Sequence, residues 1–327
     1  MKPVVVVDLF CGMGGLTSGA IDAGAEVILS VDAWDEACWV HEANHPGTRI
    51  DCIELGNPDW YKGLLKFLKP YRGNYHIHIH GSPPCQALSN ASNRNPEEGM
   101  PLVIWFLNLV KSVKPDSWSM ENVVPVRKKL PEGTPSTILN SADFGVPQTL
   151  RRCSAGEGWV AQPTHTKEEW VSVIEALPHL ADLLDDIKRE MMLNTAGGGA
   201  STGRRVASAE KPVDSPSLTI HNNQPSLRTV RLEALGANAK RYQDRAIDEP
   251  SKTICGSGNQ VGARVFDHNE DPPKKISYLN MSETLTIQRF SPDYDMSAAN
   301  TQKSRWTMVG NAVPPPVAEA VIRGIRR

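Results

Sequence analysis

Three things are scarce in this chain of 327 residues: paired cysteines, long apolar runs and net charge. The six cysteines, Cys11, Cys38, Cys52, Cys85, Cys153 and Cys255, show no C-x-x-C spacing and are too sparse for a secreted scaffold. That argues against structural zinc and disulfides alike, so free thiols and no metal are expected. No apolar run approaches the roughly 20 residues that span a bilayer, and the opening MKPVVVVDLF meets Asp8 too early for a signal-peptide core. A cytoplasmic chain with no membrane partner is expected. The formal net charge of −2 gives no global sign of a polyanion partner.

What is present is material for a core. An apolar fraction of 40% with 22% charged residues belongs to a globular chain. Its length predicts one large domain and a smaller one. The charge is unevenly placed: residues 1–60 hold two Lys/Arg and ten Asp/Glu, whereas residues 201–245 hold eight and four. Such asymmetry permits one segment to face phosphates, and it equally suits a solvated mixed-charge surface.

Through residue 155 short β-rich runs alternate with helical stretches, the pattern of a doubly wound, mostly parallel sheet in an α/β domain. Val4–Phe10, Val27–Asp32, Tyr75–His80 and Ser117–Glu121 read as strands. Leu16–Ala23, Asp35–Asn44, Pro58–Leu68 and Leu102–Val113 have helical apolar spacing. From about Gln162 to Pro273 the texture turns to Gly, Ser, Thr, Asn and Pro mixed with Arg, with one helical block at Glu168–Met192. TAGGGASTGRR reads as a mobile loop, and the echoes SPSLTI (215–220) and EPSKTI (249–254) suggest turn-then-strand units in a small irregular β domain. Met281–Arg289 and Pro316–Arg327 turn helical again, and their apolar faces need the first domain as a partner. The expected division is 1–161 with 274–327 as one domain and 162–273 as the other.

The first strand runs into CGMGGL and a helix, which sets a glycine-rich turn at the sheet edge where open α/β folds bind ligands. Gly12, Gly14 and Gly15 permit close backbone approach. A dinucleotide fingerprint needs glycine at position 17, where Thr17 stands, so a nucleoside without a pyrophosphate fits better. Asp32 ends the second strand, where such folds bond ribose hydroxyls, although a strand-end Asp also caps helices.

GSPPCQ sets Cys85 just past the strand YHIHIH on the same edge, its approach stiffened by two prolines, as a positioned nucleophile requires. A lone cysteine is otherwise a small buried hydrophobe. SWSMENV places Glu121 and Asn122 at a neighbouring strand end, where a carboxyl can hydrogen-bond a base. His76, His78 and His80 share one strand face, a spacing that can ligate metal. Without acidic or cysteine partners, buried neutral imidazoles are the better reading.

These blocks, taken in order, resemble the cytosine carbon-5 DNA methyltransferases of bacterial restriction-modification systems. DLFCGMGG is similar to the family's cofactor block, GSPPCQ to its nucleophile block and MENV to its acid block. FGVPQTLRR resembles the base-pocket arginine block, SETLTIQRFSPDY is a degenerate match to the next, and GNAVPPPVAEAV is close to the last. The resemblance implies the methyltransferase fold, S-adenosyl-L-methionine as donor, double-stranded DNA as substrate and 162–273 as a target-recognition domain. It implies a monomer, with a cognate restriction endonuclease as a further partner.

Residue by residue, the resemblance implies that Phe10 stacks on the donor's adenine, Asp32 bonds its ribose and Asp51 lies near its amine. Asp8, Cys11, Gly12, Gly14, Gly15, Pro83 and Asn311 complete the cofactor set. Cys85, Glu121 and Arg152 form the catalytic set, with Gln86, Asn122 and Arg151 contacting substrate and Gln86 to Arg94 closing over it. Two positions depart from the pattern: Leu150 replaces the first of two pocket arginines, for which Arg151 is a candidate substitute, and Ser282 stands where arginine precedes Glu283. The departures leave two alternatives, a DNA-binding relative with an impaired site and an RNA cytosine methyltransferase. The RNA branch's Cys-Phe-Thr motif is absent.

Overall fold

The computed structural model describes residues 1–84, 99–180, 230–234, 243–246, 250–252, 263–267 and 274–326. Its centre is the strand Val4–Leu9 (β1), every residue of which is buried. A continuous apolar run of this kind suits a strand covered on both faces. Glu26–Asp32 (β2) and Ile50–Cys52 (β3) add in parallel on one side, and His76–Gly81 (β4) and Ser117–Val123 (β5) on the other. Ser136–Asn140 (β6) and Arg151–Glu157 (β8) close the sheet, with β8 antiparallel to both neighbours, giving the order β3-β2-β1-β4-β5-β8-β6. The chain winds outward from β1 in one direction and returns through β4 in the other. Between those two strands lies the switch point, where open sheets form a crevice at their carboxyl ends.

The expected crossover helices are Gly15–Asp22 (α1), Asp35–Asn44 (α2), Trp60–Leu68 (α3) and Met100–Val113 (α4). Leu64 and Leu68 of α3, with Val103, Phe106, Leu109 and Val113 of α4, pack on one sheet face against Val5, Val7, Ile77 and Ile79. The opposite face, Val4 and Val6, takes Leu16 and Ala20 of α1 and Ala318 and Ile322 of a tail helix, Pro315–Arg323. The tail thus packs back on the sheet as its apolar face demanded. Gly19 makes this contact possible, since a Cβ there would stand 2.2 Å from the Pro315 carbonyl oxygen. Two further helices precede that one, Met281–Ile287 and Gln302–Asn311. The latter was not expected: only Met308, Val309 and Gly310 of its ten residues are buried, and so short an apolar patch leaves no periodicity to read.

Val230–Ala234 (β9), Gln243–Ala246 (β10), Ala263–Asp267 (β12) and Lys274–Tyr278 (β13) form a separate antiparallel sheet in the order β10-β9-β12-β13. This sheet continues past Pro273 to Tyr278. The stretch up to Leu180 leans on the first body: Thr164 N–H bonds the Asp143 carbonyl at 2.9 Å and Trp170 Nε1 bonds the Asp143 carboxylate at 2.9 Å. Of the helical block at Glu168–Met192, the described part holds only short turns, Lys167–Glu169, Val173–Ala176 (α5) and Pro178–Leu180. TAGGGASTGRR and SPSLTI lie outside the described residues. Ser251–Lys252 (β11), from the second echo, pairs in parallel with Gln148–Thr149 (β7).

Candidate functional site

At the carboxyl edge of β1, β2, β4 and β5 a cavity of about 600 Å³ opens, a size suited to a small organic ligand. Phe10 leaves β1 at φ 58°, an uncommon value for a non-glycine residue, and its ring meets Trp105 edge-on at 6.0 Å. Gly12 follows at φ 54°, with no atom within 4 Å of where a Cβ would stand. Its N–H donates to Asp32 Oδ2 at 2.8 Å, and Trp34 N–H donates to Asp32 Oδ1 at 2.9 Å. Asp32 thus ties the glycine turn to the end of β2, and each oxygen keeps a second lone pair for a ligand. Beneath lies Asp8, 1% exposed. Its Oδ2 accepts from Thr17 Oγ at 2.9 Å, while Oδ1 has no partner. Burial, and secondarily the nearby Asp32 charge, push this carboxyl up to about 7.

From the β4 side, Ser82, Pro83 and Pro84 enter the lining. Ser82 N–H donates to the Leu9 carbonyl at 3.1 Å, and Asn122 Nδ2 donates to the Pro83 carbonyl at 3.1 Å. Asn122 is 1% exposed, so it supports the proline loop and does not itself line the cavity. Glu121 does line it. In the β5–β8 ladder Glu121 opposes Ser154 and Val123 opposes Arg152, which makes Glu121 and Arg152 diagonal neighbours on one face. Arg152 Nε meets Glu121 Oε1 at 2.9 Å. Burial raises the Glu121 carboxyl above its ordinary range, and Arg152 partly offsets the rise.

The profile of the C-5 cytosine-specific DNA methylase family matches residues 4–327. The chain belongs to that family of DNA (cytosine-5-)-methyltransferases. It is similar to the type II methylase M.HgiDII of Herpetosiphon aurantiacus, 24% identical over 98% of this chain and 95% of the relative. It is also similar to the type II methyltransferase M.HindV of Haemophilus influenzae, 27% identical over 98% and 95%. Among solved structures, S. pombe Dnmt2 methyltransferase aligns with TM-score 0.56 at 16% identity over 97% of this chain and 96% of that one. Entamoeba histolytica methyltransferase EhMeth aligns with TM-score 0.55 at 15% identity over 98% and 97%.

In this C-5 cytosine methylase the cavity gathers Asp8, Phe10, Cys11, Gly12, Asp32, Pro83, Glu121 and Asn311 of the expected residues. Others stand elsewhere. Gly14 faces the rings of His45 and His41, 2.7 Å and 2.9 Å from where its Cβ would be, and Gly15 faces the Val313 carbonyl oxygen at 2.1 Å. At both positions a side chain would meet packed atoms, so glycine is required there by packing. Asp51 is outside the lining, and Arg49 holds its carboxylate with two bonds of 2.8 Å. Glu54, three residues on, lines the cavity instead. Arg151, the candidate substitute for the arginine missing at Leu150, alternates with Arg152 along β8 and so takes the face away from Glu121, while Leu150 is 1% exposed and apolar. Cys85 and Gln86, with the loop to Arg94, lie outside the described residues; the described chain reaches Pro84 at the cavity wall.

Sequence reading missed Trp34, Leu55, Leu102 and Ser82 in the lining. Trp34 was the findable one, two residues past Asp32 at the same strand end. At the other departure, Ser282 is exposed and Glu283 serves as a helix cap, accepting from Asn280 N–H at 2.6 Å and pairing with His179 at 2.7 Å. The three strand histidines are buried and bonded to serine hydroxyls. Among the described residues no helix is long and apolar enough to cross a membrane, and Cys11, Cys38, Cys52 and Cys153 are free thiols.

Proposed function

We propose that this chain transfers a methyl group from S-adenosyl-L-methionine to carbon 5 of a cytosine turned out of double-stranded DNA, through a covalent bond to Cys85. The observation that carries the reading is Glu121, an acid raised by burial, opening onto the same cavity as the Phe10–Gly12 turn and the Pro83–Pro84 approach to Cys85.

The residues present fit the donor. Asp8 Oδ1, buried and unpartnered in the lining, suits a cationic or hydrogen-bond-donating group. Gly12 leaves open space above its backbone. Phe10 would hold the adenine, Asp32 the ribose, and the Gly12 turn and Asn311 the remaining edge. When bound, the donor supplies an electrophilic methyl for the activated carbon 5.

The chain's own task is to place electron density on a ring carbon that is a poor nucleophile. The Cys85 thiolate adds to carbon 6 while Glu121, in its protonated form, donates to ring nitrogen 3. Loss of the carbon-5 proton afterwards expels the thiolate. Arg152 holds Glu121 in line and places positive charge at the strand end. A stacked base cannot reach this cavity, so the target nucleotide is extruded at a cost of a few kcal/mol. Residues 162–273, whose antiparallel sheet continues to Tyr278, are the candidate target-recognition unit in a chain that works as a monomer in the cytoplasm beside a cognate endonuclease.

Bisulfite sequencing of plasmid DNA from cells producing the protein tests this directly. A fixed methylated sequence context is expected, with Cys85→Ala abolishing it while donor binding persists. Unmethylated DNA despite folded protein would overturn the reading in favour of a DNA-binding relative with an impaired site. Failure of the wild-type protein to form an adduct on 5-fluorocytosine DNA would remove the covalent step alone.

A further inference from the structure

Six polar side chains fill a part of the sheet where apolar residues are the norm. His76, His78 and His80 lie on one face of β4, in register beside Val4, Val6 and Asp8 of β1. Across from them on β5, Ser117 pairs with His78 and Ser119 with His80. Their contacts are continuous. His76 Nε2 meets Ser117 Oγ at 2.8 Å, and the same hydroxyl meets His78 Nδ1 at 2.8 Å. His78 Nε2 meets Ser119 Oγ at 2.9 Å, which meets His80 Nδ1 at 2.8 Å. His80 Nε2 meets Ser82 Oγ at 2.9 Å.

Satisfying buried polar groups does not require such continuity, and an apolar β4 would avoid their desolvation altogether. The chain also has two distinct ends. Ser82 lines the reacting cavity. His76, about 20 Å away at strand spacing, begins β4 and is the most exposed of the three residues at 9%, against 0% for His78 and 3% for His80. Burial lowers His78 well below its ordinary value and His80 to about 3, so both rings are neutral at physiological pH. A neutral imidazole has one N–H and one lone pair, and a hydroxyl has one O–H and free lone pairs. Each interior member can therefore give one proton and take another.

We propose that His76, Ser117, His78, Ser119, His80 and Ser82 form a proton relay between the cavity and the amino-terminal edge of the sheet. It rests on the reading that base chemistry occurs in this cavity. A proton released there reaches Ser82 Oγ through a water molecule. Ser82 passes its own proton to His80 Nε2, His80 Nδ1–H passes to Ser119, and Ser119 passes its proton to His78 Nε2. His78 Nδ1–H passes to Ser117, whose proton goes to His76 Nε2, and His76 releases the proton of its other nitrogen at the sheet edge. One proton enters and one leaves; no electrons move, and no ring is left an imidazolium. The carbon-5 proton that must depart after methyl transfer is the natural cargo.

Ser119→Ala cuts the relay at its middle without touching the cavity, and Ser119→Thr restores the hydroxyl. With unmethylated plasmid DNA, single-turnover methyl transfer and exchange of the cytosine carbon-5 hydrogen with deuterated solvent in the absence of donor are measured. Expected for Ser119→Ala is a loss of about tenfold or more in both, within the range of lost proton-transfer catalysis, with donor and DNA affinity unchanged and Thr recovering most of the rate. In wild type, the exchange rate plotted against solvent deuterium fraction should curve, as several protons in flight require. A folded Ser119→Ala protein at wild-type rates overturns the relay, and if that variant does not fold, a linear wild-type plot does so. A wild-type protein that methylates no DNA refutes the underlying function instead, so the two failures are distinguishable.

Discussion

Asn122 and Pro83 are joined across neighbouring strand ends by a 3.1 Å bond from the side-chain amide to the proline carbonyl, and the other end of that amide accepts from Val123 N–H at 2.9 Å. The end of β5 and the proline loop that follows β4 are therefore tied together. Asn122→Ala should leave the Pro83 carbonyl unsatisfied at a cost of about 1–3 kcal/mol. Because the loop base loses its anchor, turnover should fall by about 10²-fold while donor affinity barely changes. Chemical denaturation and single-turnover kinetics on the same preparation check both halves. Wild-type turnover in the variant would show that the bond positions nothing.

The pair Glu121 and Arg152 governs a proton. Burial raises the Glu121 carboxyl and Arg152 pulls it down, so removing the guanidinium in Arg152→Ala should raise it further. The protonated form is the one proposed to act, and a higher pKa keeps it populated to higher pH. The descending alkaline limb of kcat assigned to Glu121 should move upward, while the maximal rate falls because the 2.9 Å clamp is gone. Arg152→Lys keeps a charge and should hold the limb nearer its original place. A pH–rate profile of each variant decides, and a limb moving downward would contradict the assignment.

Asp8 links stability to pH. Its carboxyl stands at about 7 in the folded chain against an ordinary 3.8, so between those values the folded state binds a proton that the unfolded state lacks. A folded pKa raised in this way makes stability fall as pH rises from about 4 to about 7, after which the loss is complete at about 4 kcal/mol. Asp8→Asn cannot ionise and should flatten that part of the curve, gaining most relative to wild type above pH 7. Denaturation midpoints at pH 5 and pH 8 test the sign. If the difference between the two proteins does not widen with pH, Asp8 is not the group responsible.

Much of this was legible in the sequence because local chemistry demands it. The run VVVVDLF reads as a strand, and the glycine turn and proline loop at two strand ends mark the crevice along the chain itself. The packing demand at Gly14 and Gly15 was not legible, because a glycine needed for packing and one needed for a ligand look identical along the chain; His45 and the Val313 carbonyl show it. The ion pair of Asp51 with Arg49 was not legible either, because the strand that carries Asp51 has three residues, too few to leave a pattern. The His–Ser chain was half visible: the alternation of histidines was plain, but the serines that match them come from another strand and needed the register.

Gly19 shows how the tail and the helix after the glycine turn are held together. It lies in α1, directly after the glycine turn, with the Pro315 carbonyl oxygen 2.2 Å and the Ala318 Cβ 2.7 Å from where a side chain would begin. Neither backbone oxygen nor Cβ can rotate away, so Gly19→Ala must push the two helices apart. Helix propensity alone would favour alanine by about 1 kcal/mol, whereas overpacking of this kind costs about 1–3 kcal/mol or more, and the clash with backbone should decide the balance. The variant is expected to unfold at lower denaturant, and donor affinity should drop with it, because Val313, which follows Asn311 in the cavity lining, moves with the tail helix. A control on the exposed side of α1, Ile21→Ala, should leave both properties near wild type. If Gly19→Ala proved as stable as wild type, the close approach of the tail to α1 would be refuted, and with it the idea that the carboxyl-terminal helix fixes the shape of the donor site.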